Sequence, residues 1–224
     1  MFDAVSISEK VSFKIANELN LDKDKREVIS YGIFSIVQMI YNLILVLLVG
    51  GIFGVSMEAL IVSLSIGVLK KSSGGVHSSS SGICLVVGTI ISVGIGLLSR
   101  IRIGMEVTIG ITIITFIWAY YIIYKLAPVD SSAKPIRTEK KRKRLKRSSI
   151  FILNIYLVIV IFNIVLYVYT NINSLIFYSI CILGGVIWQV LSLTKIGHYI
   201  VKLIDTFFNK ILMYKKGGIK NEKN

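Results

Sequence analysis

The sequence predicts an all-α, polytopic membrane protein with about six transmembrane helices and an amphipathic interfacial helix near each end. Three observations predict it. Hydrophobic residues make up 54% of the 224, and charged residues only 17%, against roughly 25% charged in a soluble domain. The mean hydropathy is +0.74. The apolar residues gather in six segments, near 28–49, 55–69, 82–99, 103–124, 149–170 and 174–193. Together these exclude a soluble globular fold and a disordered chain. Residues 1–224 read as one integral membrane domain: an interfacial helix within 1–27, a bundle over 28–194, and a second interfacial helix and tail over 195–224.

The first element is SISEKVSFKIANELN (6–20), where Ile7, Val11, Ile15 and Leu19 recur at helical spacing and Phe13 breaks the stripe. Such a helix lies in the interface plane, and it reads as retained rather than as a signal peptide. The first, fourth, fifth and sixth apolar segments reach the roughly 20 residues that a span requires. The second is short and holds Glu58; the third is rich in glycine, with Gly82, Gly88, Gly94 and Gly96. These two read as tilted or partial spans, tolerated where protein covers them. The connections 50–54 and 171–173 are short, so the helices they join run antiparallel. A cytoplasmic basic loop is expected over 125–148, with its densest charge in KKRKRLKR (140–147). Ile200, Leu203, Phe207 and Ile211 mark the second interfacial helix.

The net charge of +14 comes from 26 basic and 12 acidic residues. With six spans and an inside N-terminus, all but two of the 26, Arg100 and Arg102, fall on the inner side. That asymmetry predicts both termini in the cytoplasm. The basic surface then meets anionic lipid headgroups rather than nucleic acid. Gly88, Gly94, Gly184 and Gly185 allow close helix approach, and a homodimer is one expectation from them.

The chemistry concentrates in KKSSGGVHSSSSGIC (70–84), a polar run between the two weaker segments. It holds His77 and Cys84, one of two histidines and one of two cysteines. A cysteine nucleophile acts as the thiolate, which needs a base or a positive field. His77 is a candidate base. Cys84 falls where a helix begins, and a helix start offers unpaired amides and partial positive charge. Seven residues of regular helix span about 10.5 Å, so the pair can meet only if His77 lies on a loop that folds back. Gly74, Gly75 and Gly82 permit such a path. The amides of Ile83 and Cys84 are the candidate oxyanion donors. Lys70, Lys71, Gly74, Gly75 and Gln38 are candidate substrate contacts, as are Lys140, Lys141 and Arg142 for an acidic substrate segment. Gln38, Asn42 and Glu58 are polar groups in or near membrane segments, where such residues are often functional. Cys181, deep in FYSICILGG, reads as packing, and His198 as a surface residue. Two cysteines at this spacing make neither a disulfide framework nor a zinc site, so no metal or cofactor is expected.

GGVH followed by six residues and Cys84 resembles the signature of the AgrB family of bacterial membrane endopeptidases. LAPVDSSAKPI (126–136) resembles the family's loop between the fourth and fifth hydrophobic segments. The basic stretch after it, the six segments and the length are similar too. Lys70 stands where the family commonly has Arg; lysine keeps the charge without the planar fork. The resemblance implies a thiol protease of the bacterial cell membrane that acts in quorum sensing. Its partner would be a short, AgrD-like signal-peptide precursor, from which it removes the C-terminal part. Cys84 would be the nucleophile and His77 its general base, and the acyl-enzyme would lead to a cyclic thiolactone or lactone. From the residues alone a second class stays open: a small transporter of peptides or ions, favoured by the intramembrane polar groups and the broken third segment. A non-catalytic membrane anchor would account for the basic run but not for the region around His77 and Cys84.

Overall fold

The structure, a computed structural model, describes residues 4–76, 80–130, 136 and 138–221. The described residues form eight helices: α1 (Ala4–Glu18), α2 (Lys23–Ile52), α3 (Ser56–Ser73), α4 (Ser81–Ser99), α5 (Met105–Leu126), α6 (Glu139–Thr170), α7 (Asn173–Leu191) and α8 (Lys195–Asn221). Five of them, α2, α4, α5, α6 and α7, are long and apolar enough to cross a membrane. The sixth expected crossing, α3, carries Glu58, Lys70 and Lys71 in 18 residues and falls short by composition.

Yet α3 is enclosed by its neighbours. It packs against α2, α4, α6 and α7, and it buries Glu58, Ala59, Val62, Ser63, Ser65, Leu69, Ser72 and Ser73. A polar helix is tolerated at membrane depth where protein rather than lipid surrounds it. Its polar groups find partners there. Asn42 Nδ2 donates to Ser63 Oγ at 2.8 Å, the Tyr156 hydroxyl donates to the Ser65 carbonyl at 3.0 Å, and Ser149 Oγ donates to Ser72 Oγ at 3.0 Å.

At one end of the bundle α2 turns directly into α3. The Val55 amide closes that turn on the Gly50 carbonyl at 2.7 Å, and a Cβ on Gly50 would lie 3.0 Å from Ser56 Cα. At the same end the Arg100 guanidinium grips Glu58 Oε1, with Nη2 at 2.8 Å and Nε at 2.9 Å. Glu58 lies in the first turn of α3, and Arg100 caps the C-terminus of α4. Each charge thus suits the partial charge of its own helix end as well as its partner.

Lipid tails are as apolar as side chains, so close packing rather than water exclusion joins such helices. Gly184 and Gly185 provide it. A Cβ on Gly184 would lie 2.5 Å from Ile95 Cγ2, and one on Gly185 would lie 2.8 Å from Ser65 Cβ. These glycines seat α7 on α4 and α3 within the chain. Gly94 has nothing within 4 Å of its Cβ position. The main apolar cluster joins Leu69 of α3 to Phe116, Ala119 and Ile123 of α5, Leu153 and Val160 of α6, and Leu183, Val186 and Val190 of α7.

The basic run from Lys140 to Arg147 is helical, not part of a loop over 125–148. Thr138 caps it, its hydroxyl accepting from the Lys141 amide at 3.4 Å, and Lys and Arg are good helix formers. The 32 residues of α6 span about 48 Å, longer than a hydrocarbon core of roughly 30 Å, so its charged first turns extend past its apolar part. Asp22 likewise caps α2, accepting from the Lys25 amide at 2.8 Å. That backbone hydrogen bond, ahead of the Lys25 ammonium, holds the Asp22 carboxyl below the usual aspartate value of 3.8. α1 lies against α2, with the Arg26 guanidinium 4.9 Å from the centre of the Phe13 ring.

Candidate active site

The site lies at the end of the bundle opposite the Glu58–Arg100 pair. Here α3 ends at Gly74, whose φ of 71° and ψ of −147° turn the chain out of the helix. Gly75 follows with φ of 127°. Both values lie where a Cβ is disfavoured, and the space is closed as well. A Cβ on Gly74 would lie 2.1 Å from the Val129 carbonyl oxygen, and one on Gly75 would lie 2.7 Å from Ser192 Oγ.

The turn is tied to three neighbours. Gly74 pairs with Val129 in an isolated parallel bridge, just after the cis Ala127–Pro128 peptide, and the Val129 amide donates to the Ser73 carbonyl at 2.9 Å. From α7, Gln189 Nε2 donates to the Gly74 carbonyl at 2.8 Å and to Ser73 Oγ at 3.0 Å. Beyond the end of α7, the Ser192 carbonyl accepts from the Val76 amide at 3.4 Å. Lys70 Nζ donates to the Val76 carbonyl at 3.2 Å. A residue expected to meet substrate therefore grips the chain's own turn.

Cys84 lies in the first turns of α4 and is half-buried, whereas Cys181 is fully buried in α7. Ser80 is the N-cap of α4. The Cys84 amide donates to the Ser80 carbonyl at 3.0 Å. That donor closes the first helical turn, which corrects its expected place beside Ile83 in an oxyanion pocket. The amides of Ser81, Gly82 and Ile83 precede the first intrahelical bond. The Ile83 side chain is buried. From α2, Gln38 Nε2 reaches the Ser81 carbonyl at 3.4 Å, so one predicted contact residue does adjoin the helix that carries Cys84. His77, the expected base, lies outside the described residues.

The basic start of α6 sits at this same end. Arg142 Nη2 pairs with Asp130 Oδ2 at 3.3 Å, which links α6 to the segment bridged to Gly74. Lys140, Lys141 and Arg142 are exposed, as is Lys71. The structure thus gathers Gln38, Lys70, Gly74, Gly75, Cys84 and the α6 basic turn at one end. Gln189 and Ser192 were not among the expected residues. The signal for Gln189 was present: an amide inside an otherwise apolar run, the same feature that singles out Gln38.

An α-helical bundle with five helices long and apolar enough to cross a membrane defines a polytopic membrane protein. Within that class, the family model described as Accessory gene regulator B matches residues 8–193. The chain is 40% identical to an AgrB-like protein of Clostridium perfringens (strain SM101 / Type A) over 211 residues, covering 92% of this chain and 99% of that one. AgrB-like protein 2 of C. perfringens strain 13 gives the same identity and coverage. An AgrB-like protein of Halalkalibacterium halodurans is 26% identical over 220 residues, 96% of this chain and 98% of its own. No solved structure matches. The chain belongs to the AgrB family.

Proposed function

We propose that this protein is a membrane cysteine endopeptidase that cuts a short quorum-sensing signal-peptide precursor and promotes closure of the remaining peptide into a ring. Family membership supports the reaction class. The observation that carries it to a residue is the contrast between the two cysteines. Cys84 sits half-buried at the start of α4, at the bundle end that also holds the glycine turn and the basic start of α6, while Cys181 is sealed inside the bundle.

In this reading His77 takes the proton from Cys84, and the thiolate Sγ attacks the scissile carbonyl of the precursor. The helix start stabilises the resulting oxyanion, with the Ile83 amide as donor. The C–N bond breaks as His77 returns the proton to the leaving amine, and the C-terminal fragment departs. The rest of the precursor stays as a thioester on Cys84. A Cys thiol or Ser hydroxyl within it then gives its proton to His77 and attacks the thioester carbonyl. The Cys84 thiolate is expelled and a thiolactone or lactone ring closes. A tethered nucleophile has a very high effective concentration, and a site screened from water favours ring closure over hydrolysis.

The orientation that fits is both termini in the cytoplasm, with the α6 basic turns facing anionic lipid and the acidic part of the precursor. Lys140, Lys141 and Arg142 capture that segment, and Lys71 lines its approach. The test is purified protein in liposomes with a candidate precursor, followed by mass spectrometry. Cys84→Ala and His77→Ala should each abolish cleavage, and Cys181→Ala should leave it intact. Full cleavage by Cys84→Ala would eliminate the mechanism; transport of the peptide without cleavage would favour a transporter.

A further inference from the structure

We propose a binding site for one anionic phospholipid on the exposed side of α5 and α6, at the glycine-turn end of the bundle. It is built from Tyr121, Tyr124 and Lys125 of α5 and Lys146 of α6. Tyr121 and Tyr124 are 59% and 71% exposed, and residues three apart on a helix share a face. The Lys146 ammonium lies 4.2 Å from the centre of the Tyr124 ring. The Lys125 ammonium lies 5.6 Å from the centre of the Tyr121 ring and donates to the Tyr121 hydroxyl at 3.3 Å. Two cations from two helices thus stand beside neighbouring rings. Among the described residues, neither ammonium pairs with a carboxylate. The Tyr120 hydroxyl donates to Asn154 Oδ1, which ties α5 to α6 close to the same level.

The same stripe of α5 suits the rest of such a ligand. Ile114 and Ile117 continue it away from the tyrosines and are 70% and 67% exposed. From Ile114 to Tyr124 the helix rises about 15 Å, half of a hydrocarbon core of roughly 30 Å, which is the reach of the acyl chains of one leaflet. Tyrosine rings at a membrane boundary sit at headgroup level, and basic groups between helices at that level take anionic headgroups. Ammonium and phenol donors at the end of an apolar track therefore match a phosphodiester carrying acyl chains. Each ring already holds a lysine, so the choline of a zwitterionic lipid finds neither a free ring nor a carboxylate. Phosphatidylglycerol brings the phosphate without a cation. This is a discrete site, separate from the diffuse attraction of the first turn of α6, because Lys140 and Lys141 lie more than a turn beyond Lys146.

The experiment titrates the full chain, in a non-ionic detergent, with phosphatidylglycerol, phosphatidylcholine or inorganic phosphate. Thermal unfolding is followed, and bound lipid is counted on the folded protein by native mass spectrometry. Phosphatidylglycerol should raise Tm by about 5 °C at saturation and stay on the protein as a single adduct; phosphatidylcholine and phosphate should do neither. Lys125→Gln and Lys146→Gln should each weaken phosphatidylglycerol binding about fivefold, and arginine at both positions should retain it. Lys140→Gln with Lys141→Gln removes as much charge away from the rings and should leave the adduct in place. An equal shift from phosphatidylcholine would mean apolar solvation alone, and an equal shift from phosphate would mean a free anion as the ligand. Equal weakening by the Lys140 and Lys141 pair would mean diffuse attraction. Any of the three would overturn the site.

Discussion

Gly74 and Gly94 show how differently one residue type acts in this chain. At Gly74, positive φ coincides with a carbonyl oxygen 2.1 Å from where a Cβ would stand. Gly74→Ala should therefore destabilise the protein by about 2 kcal/mol or more and abolish cleavage. Gly94 has helical backbone and open space around it, so Gly94→Ala should be neutral or stabilise by up to about 1 kcal/mol. Thermal unfolding in detergent, with cleavage measured alongside, checks the pair. The motif GGVHSSSSGIC made the glycine turn and Cys84 legible at this scale. What it did not contain was Gln189, more than a hundred positions away, or the engagement of Lys70 with the Val76 carbonyl. The first depends on α7 and α3 meeting, which no local pattern encodes, and the second on the course of the turn that follows α3.

At the scale of elements, the helix boundaries were legible because apolar runs, short turns and caps coincide. Two features were not. The basic run reads as a loop when charge density is the guide, yet Lys and Arg favour helix and Thr138 caps it. The enclosure of α3 is the second: Glu58, Lys70 and Lys71 keep it short of a span by composition, and the partners that satisfy its two ends lie outside it. Breaking the Glu58–Arg100 pair tests one of these ends. Glu58→Ala should cost about 1–2 kcal/mol, the lower part of the range for a hydrogen bond to a charged group because Arg100 is half-exposed, and thermal unfolding measures it. The α2 cap tests charge at a helix start. Asp22 has a lowered pKa, so its contribution is fully present above the ordinary aspartate value and is lost as pH falls through the lowered one. The protection of the Lys25 and Arg26 amides against hydrogen exchange, relative to the free-chain rate at the same pH, should fall in that acidic window in the wild type. Asp22→Ala should show the lower protection at neutral pH as well, and Asp22→Asn should largely restore it.

At the scale of the whole molecule, charge is segregated along the bundle. The end with the glycine turn also carries the basic start of α6, and the opposite end holds an ion pair whose charges cancel. Exposed charges act over about 8–10 Å at ordinary salt. Replacing Lys140, Lys141 and Lys143 with Gln should therefore raise KM for an acidic precursor several-fold and leave kcat unchanged. The same variant should show less dependence of KM on salt than the wild type, and vesicles with and without anionic lipid separate capture at the bilayer from capture at the protein.

The enclosure of α3 bears on how the chain enters the bilayer in the first place. A helix with so many serines and three charges has little tendency to partition into lipid when it leaves the ribosome alone. It commits only when α4 has been made and Arg100 can neutralise Glu58, so α2, α3 and α4 insert as a group. In a chain ending at Ser73, a cysteine placed at an α3 position should be open to a water-soluble alkylating reagent, and in one extended past Arg100 it should be protected.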